Sequence, residues 1–223
     1  MIMKPKDKYL RHTYSYLALR KAVGWVGILL PFTLMLGIFF IFKGEIIQKS
    51  ISHYYHTGMG DVLVGALCAV ALFMFFYCGH DKWDDWLGNI AGFFAIGVAW
   101  FPTTEVGSID LTGKIHFASA ALFFLTLAIF SLFLFTRKDS NPTQQKLTRN
   151  KIYIICGLIM VACLVAIAIY MNFIQKNNQQ SGFVFWVETI ALVAFGVSWL
   201  TKGGTLYPDI ITSLPHPKSF DIV

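Results

Sequence analysis

Six apolar runs, each near the length a helix needs to cross a bilayer, constrain this chain more than any other feature. They are Ala22–Phe42, Asp61–Gly79, Trp86–Phe101, Ile115–Thr136, Ile152–Phe173 and Phe183–Thr201. A hydrocarbon core of about 30 Å takes roughly 20 residues of helix. No water reaches the backbone there, so each run is expected to close its own hydrogen bonds as a helix. Composition agrees: 56 % of the 223 residues are hydrophobic and 13 % are charged, where soluble domains are roughly a quarter charged. A disordered chain, a coiled coil and an ordinary soluble domain are excluded. The expected fold is all-α, a polytopic membrane protein built as a six-transmembrane-helix bundle. Residues 1–21 form a basic N-terminal segment, 22–201 the membrane domain and 202–223 a tail.

Details of the runs add expectations. The third is the shortest and contains Asn89. Trp83, Trp86 and Trp100 bracket it as an interfacial belt, and Pro102 marks its end. Pro31 is expected to kink the first helix. That first run is longer than the roughly 7–15 residues of a signal-peptide core, so it is expected to remain as a span. Small residues predict close helix contacts: Gly88 and Gly92 with Ala91, Ala95 and Ala99, then Gly65, Ala66 and Ala69, then Ala191, Ala194 and Gly196. The four cysteines, Cys68, Cys78, Cys156 and Cys163, lie in apolar runs and are expected to act as inert small hydrophobes.

The formal charge is +6, and the basic residues sit at the ends of the apolar runs. That placement points to topology and anionic lipid headgroups, with no nucleic acid. With six spans, fourteen of the 18 Lys and Arg fall on the side holding both termini. Lys43, Lys49, Lys114 and Lys176 fall on the other. Positive residues stay inside, so both termini are expected in the cytoplasm of a multi-pass protein of the cytoplasmic (inner) membrane. The polar loop Lys138–Lys151 is expected to be flexible. Pro215 and Pro217 around His216 disfavour a helix in the tail.

This topology gathers polar residues at the outer end of the bundle. The first loop, Ser50-Ile51-Ser52-His53-Tyr54-Tyr55-His56-Thr57-Gly58-Met59-Gly60-Asp61, holds two histidines, two tyrosines, two serines and an aspartate. Asp61 opens the second helix and His116 lies in the first turn of the fourth. Glu188 falls about 7–8 Å below the start of the sixth, at about 1.5 Å per residue. Ionisable groups within spans are expensive and usually face a bundle interior or a water-filled cavity. Each also has a plain structural reading. Asp61 suits the dipole of a helix N-terminus. His116 can bond a loop carbonyl, and Glu188 can join two helices. Tyr54 and Tyr55 can be belt residues. On the inner side, His80, Asp81, Asp84 and Asp85 read as a solvated turn, and Lys202 as a helix-end cation that snorkels.

The outer constellation suits several chemistries. Neutral imidazoles and carboxylates bind zinc with one open position. The metal ligands would be His53 or His56, His116, and Asp61 or Glu188, with a bound water as nucleophile. Glu188 or Asp61 would then be the general base, and Ser52 would orient water or substrate, a membrane lipid or another small molecule. A carboxylate–histidine pair part-way into a bundle also suits an ion- or proton-coupled transporter. Haem ligation would want two histidines on facing helices, and only His116 lies on a span. A non-enzymatic assembly or partner-binding membrane protein remains a further class.

Three blocks carry a resemblance: Ser50 to Gly65, Ile115 to Phe124, and Phe185 to Lys202 through Phe195-Gly-Val-Ser-Trp-Leu-Thr-Lys. They resemble a group of bacterial six-span membrane proteins, a likeness that covers most of the chain from the first span to Lys202 and implies an intact member. It brings no activity with it. A more distant likeness is to the ceramidase and progestin-receptor-like membrane hydrolases. Those join serine, aspartate and histidines at a zinc site in seven helices. Here there are six spans, no late HxxxH pair, and Glu188 in the last helix.

Overall fold

The computed structural model describes residues 5–104, 110–137, 140–174 and 181–208. Six long helices run through them: α1 Pro5–Gly37, α2 Gly60–Phe75, α3 Lys82–Trp100, α4 Leu111–Ile129, α5 Gln144–Ile169 and α6 Phe183–Lys202. Among the described residues there is no strand. Each helix packs mainly on its neighbours in the chain, and α6 closes the ring against α1. Four helical stretches are long and apolar enough to cross a membrane: Tyr14–Phe42, Leu111–Leu134, Gln144–Ile174 and Phe183–Lys202. The protein is therefore an all-helical membrane protein. α2 is apolar but short. α3 carries Lys82, Asp84 and Asp85 in its first turn.

The helix ends depart from the sequence expectation for identifiable reasons. α1 runs from Pro5, inside the segment read as a basic N-terminal stretch; proline at a first helical position needs no N–H acceptor. It stays helical through Pro31 and ends in a π-helical turn at Ile38–Phe42. α3 starts four residues earlier than read, because the Asp81 side chain accepts from the N–H groups of Trp83 and Asp84. Asp110 caps α4 by accepting from Gly113 N–H. The loop read as flexible over Lys138–Lys151 is largely helix: Thr143 caps α5 by accepting from Lys146 N–H. The Asn150 amide then bonds the Thr136 carbonyl at 2.8 Å. α6 matches its expected span to within one residue at the end. The prolines around His216, with Lys4, Lys138, Lys176 and Lys218, lie outside the described residues.

Two glycine contacts set the helix spacing. A β-carbon at Gly88 would sit 2.8 Å from the Met74 carbonyl oxygen, and one at Gly92 3.0 Å from that of Ala71. The predicted small-residue face of α3 therefore meets the backbone of α2. Gly24 and Gly196 oppose each other across α1 and α6 in the same way. Gly65 does not join this pattern, since nothing lies within 4 Å of its β-position. The core between these contacts is aromatic. Trp199, fully buried, has the rings of Phe73, Tyr77, Phe130, Phe135 and Phe195 around it at 5.2 to 6.0 Å.

The charged turn between α2 and α3 is not the solvated loop expected. Asp84 is 3 % exposed. It accepts from His80 N–H at 2.6 Å and lies 3.0 Å from an Arg137 guanidinium nitrogen, which also bonds Asp81 at 2.9 Å. Cys78, read as part of an apolar span, is exposed past the end of α2. Its backbone pairs with the Tyr16 hydroxyl.

Candidate functional site at the Glu188 end of the bundle

The loop between α1 and α2 folds over the bundle as a short 3-10 helix, Ile51–His56. Its start is dictated by Ser50, the cap residue. The Ser50 hydroxyl oxygen accepts from His53 N–H at 3.3 Å and lies 2.7 Å from His53 Nδ1. The Ser50 hydroxyl, with one proton and two lone pairs, pairs with Nδ1 in either neutral tautomer of the ring. Burial, with the Lys49 cation nearby, pulls the His53 pKa down to about 4.

Four bonds seat this loop. The Glu188 carboxylate accepts from Ile51 N–H at 2.6 Å, 137 residues away in the chain. Phe185 N–H donates to the Lys49 carbonyl at 3.2 Å. The start of α6 and the start of the 3-10 helix therefore hold each other by one bond in each direction. Buried Tyr54 donates its hydroxyl to the Ile46 carbonyl and packs 5.9 Å from the Phe185 ring. His56 Nε2 lies 2.7 Å from the Thr103 carbonyl oxygen.

Below the loop lies a cavity of about 50 Å³. Its wall takes Leu30 from α1, Ile51 and Ser52 from the 3-10 helix, Leu63 and Leu67 from α2, and Val98 from α3. α4 and α6 contribute Ala120, Phe123, Phe124, Leu192 and Glu188. Glu188 is its one carboxylate and Ser52 its one hydroxyl. A cavity needs about 10–15 Å³ to hold one water, so the space beside Glu188 is large enough for one.

The other residues singled out from the sequence go elsewhere. Asp61 is exposed in the first turn of α2 and lines a separate open groove of about 480 Å³ with Tyr55, Thr57 and Trp100. Buried His116 sets its Nδ1 2.6 Å from the Phe101 carbonyl oxygen, so it holds the chain that leaves α3. His56 does the same two residues later. Among the described residues no group of three His, Cys, Asp or Glu side chains is arranged to hold a metal ion. In this arrangement His56 and His116 face backbone carbonyls and Asp61 lines another groove, so His53, His56, His116, Asp61 and Glu188 are not gathered as one ligand set.

Sequence reasoning missed the partners that matter most here. They are the Ile51 N–H, the Thr103 carbonyl and Ser50 as a cap, whereas the bond from His116 to a loop carbonyl, that of Phe101, is as expected. Backbone acceptors leave no side-chain signature, though Ser50 three residues before His53 is a readable capping signal. Comparison with protein-family models, with curated proteins and with solved structures finds no match.

The neutral His53 gives a pH prediction. Its folded pKa of about 4 lies below the ordinary value of 6.5. Between these values the unfolded chain binds more protons, so the loop's contribution is complete above about pH 6.5 and is lost as the pH falls towards 4. The melting temperature in detergent should drop across this window, and His53→Asn should flatten the drop. An identical slope in both proteins would contradict the assignment.

Proposed function

We propose that the chain spans a bacterial cytoplasmic membrane six times with both termini inside, and that it moves protons, alone or with a coupled solute, through a gate controlled by Glu188. The observation that carries this reading is the 2.6 Å bond from Ile51 N–H to Glu188 at the wall of an apolar cavity. A charged carboxylate accepts such a bond roughly twice as strongly as a neutral group does. Ionised Glu188 holds the 3-10 helix down over the cavity. A proton on Glu188 weakens the bond by about 1 kcal/mol, which shifts the loop's open and closed populations roughly five-fold. Ser52, on the same cavity wall, is placed to bond the water that delivers the proton. His53 stays neutral above about pH 4 and adds no competing charge. The zinc hydrolase alternative lacks an assembled ligand set, and no step is routed through a metal.

The test is proton flux in liposomes containing the purified protein and an internal pH-sensitive dye. An imposed gradient should decay faster than in empty liposomes. Glu188→Gln, which releases the loop but leaves no carboxylate to carry the proton, should bring the rate to that of empty liposomes, and Glu188→Asp should retain part of it. Wild-type flux equal to that of empty liposomes, or unchanged flux in Glu188→Gln, would overturn the reading and leave Glu188 as a structural clamp. Topology is checked separately: a phosphatase fused after Ser50 should be active outside the membrane, and one fused after Ser140 inactive.

A further inference from the structure

The opposite end of the bundle gathers cations from three helices. Lys202, in the last turn of α6, is half-buried, with its ammonium 5.0 Å from the centre of the Phe135 ring. Lys146 of α5 donates to the carbonyl of that same Phe135 at 2.7 Å and lies 5.7 Å from the Tyr153 ring. Arg149 of α5 donates to the Tyr207 carbonyl at 2.8 Å. Arg20 of α1 stacks 4.3 Å from the Tyr16 ring centre and 5.3 Å from that of Tyr77. Among the described residues, Arg20, Lys146 and Arg149 oppose the Lys202 charge and Asp84 favours it. Asp84 is already engaged by Arg137 and His80 N–H.

Among the described residues, the Lys202 ammonium has no hydrogen-bond acceptor and no carboxylate within ion-pair distance. Arg20 Nε is buried and also lacks an acceptor. An ammonium held against three like charges in a half-buried, aromatic-walled site is unfavourable unless an anion completes it. Lys and Arg side chains near one another on separate helices offer the several donors that the oxygens of a phosphate group accept. Aromatic rings beside them suit the level of lipid headgroups.

We propose that Lys202, Arg20, Lys146 and Arg149 form a binding site for a phosphate group, carried by an anionic lipid headgroup or by a free phosphate. The site stands on these cations alone and does not depend on the proton-gate reading.

The test is thermal unfolding of the full chain in detergent with three additions: phosphatidylglycerol, phosphatidylcholine and inorganic phosphate. Phosphatidylglycerol should stabilise the wild type where phosphatidylcholine does not, and Lys202→Met should weaken its apparent affinity about tenfold, as expected for one charge-assisted hydrogen bond. Lys202→Arg should keep most of it. Without ligand, Lys202→Met should melt at or above the wild-type temperature, because an unpaired cation is removed; this separates lost binding from lost folding. Stabilisation by inorganic phosphate with the same Lys202 dependence supports the site with a free phosphate as its ligand. No stabilisation of the wild type by either phosphate, or equal stabilisation of Lys202→Met, would overturn the proposal.

Discussion

Replacing Gly196 by leucine should destabilise the bundle by about 3 kcal/mol, near the upper end for overpacking, and lower the detergent melting temperature by roughly 10 °C. A β-carbon at Gly196 would lie 2.5 Å from the Gly24 carbonyl oxygen and 3.0 Å from Ile28 N. Neither is the end of a flexible side chain. Relief therefore requires α1 and α6 to move apart as units. Within lipid there is little hydrophobic drive to hold separated helices together, so the loss of close van der Waals contact is not offset. The paired substitution Gly24→Leu meets the same wall from the other side, at 2.9 Å from the Gly196 carbonyl oxygen. The two changes act on one interface, so their combined effect should be smaller than their sum. A melting curve for Gly196→Leu that overlays the wild type would show that α1 and α6 do not cross at this point.

Trp199→Ala should cost about 3–5 kcal/mol, as for other large aromatic deletions from a packed interior. Trp199 is fully buried, and the five rings around it come from α2 (Phe73), the residue just past it (Tyr77), the π-helical turn after α4 and its cap (Phe130, Phe135), and α6 itself (Phe195). Removing the indole empties the centre of that cluster and loses contacts on every side. Trp199→Phe distinguishes packing from polarity. The indole N–H has no partner, so phenylalanine gives up volume but also removes an unsatisfied donor. Its cost should stay under about 1.5 kcal/mol. Equal losses for Ala and Phe in thermal melts would mean that the N–H has a partner after all.

The fold was far more legible in the sequence than the site. The apolar helices could be read because hydrocarbon imposes one requirement on every residue within it. Their ends depended on side-chain caps such as Asp81, Asp110 and Thr143, whose effect reaches beyond the apolar run. Gly88 and Gly92 were legible as a packing face. Gly24 was not, because it acts only when opposed to Gly196 across the ring. At the site, Glu188 stood out as a carboxylate in an apolar helix, and Ser52 joins it on one cavity wall. Asp61 and His116 reach the same end of the bundle but face different partners. Sharing a membrane level does not fix rotation about a helix axis. The four seating bonds of the loop between α1 and α2 all involve at least one backbone group, which sequence alone does not display. At the other end, Lys202 read as an ordinary helix-end cation, and only the folded ring brings Arg20, Lys146 and Arg149 around it.

The most direct test of the Glu188 latch is the accessibility of the loop it holds. Ser52→Cys, placed in a background where exposed Cys78 is replaced by serine, would be labelled in liposomes with a membrane-impermeant maleimide, alone and together with Glu188→Gln. Labelling should be slow with Glu188 present and faster by about five-fold or more with Glu188→Gln, reflecting a bond weakened by about 1 kcal/mol. Equal labelling rates with and without Glu188→Gln would show that the carboxylate does not hold the loop closed, and the gate would fall with it.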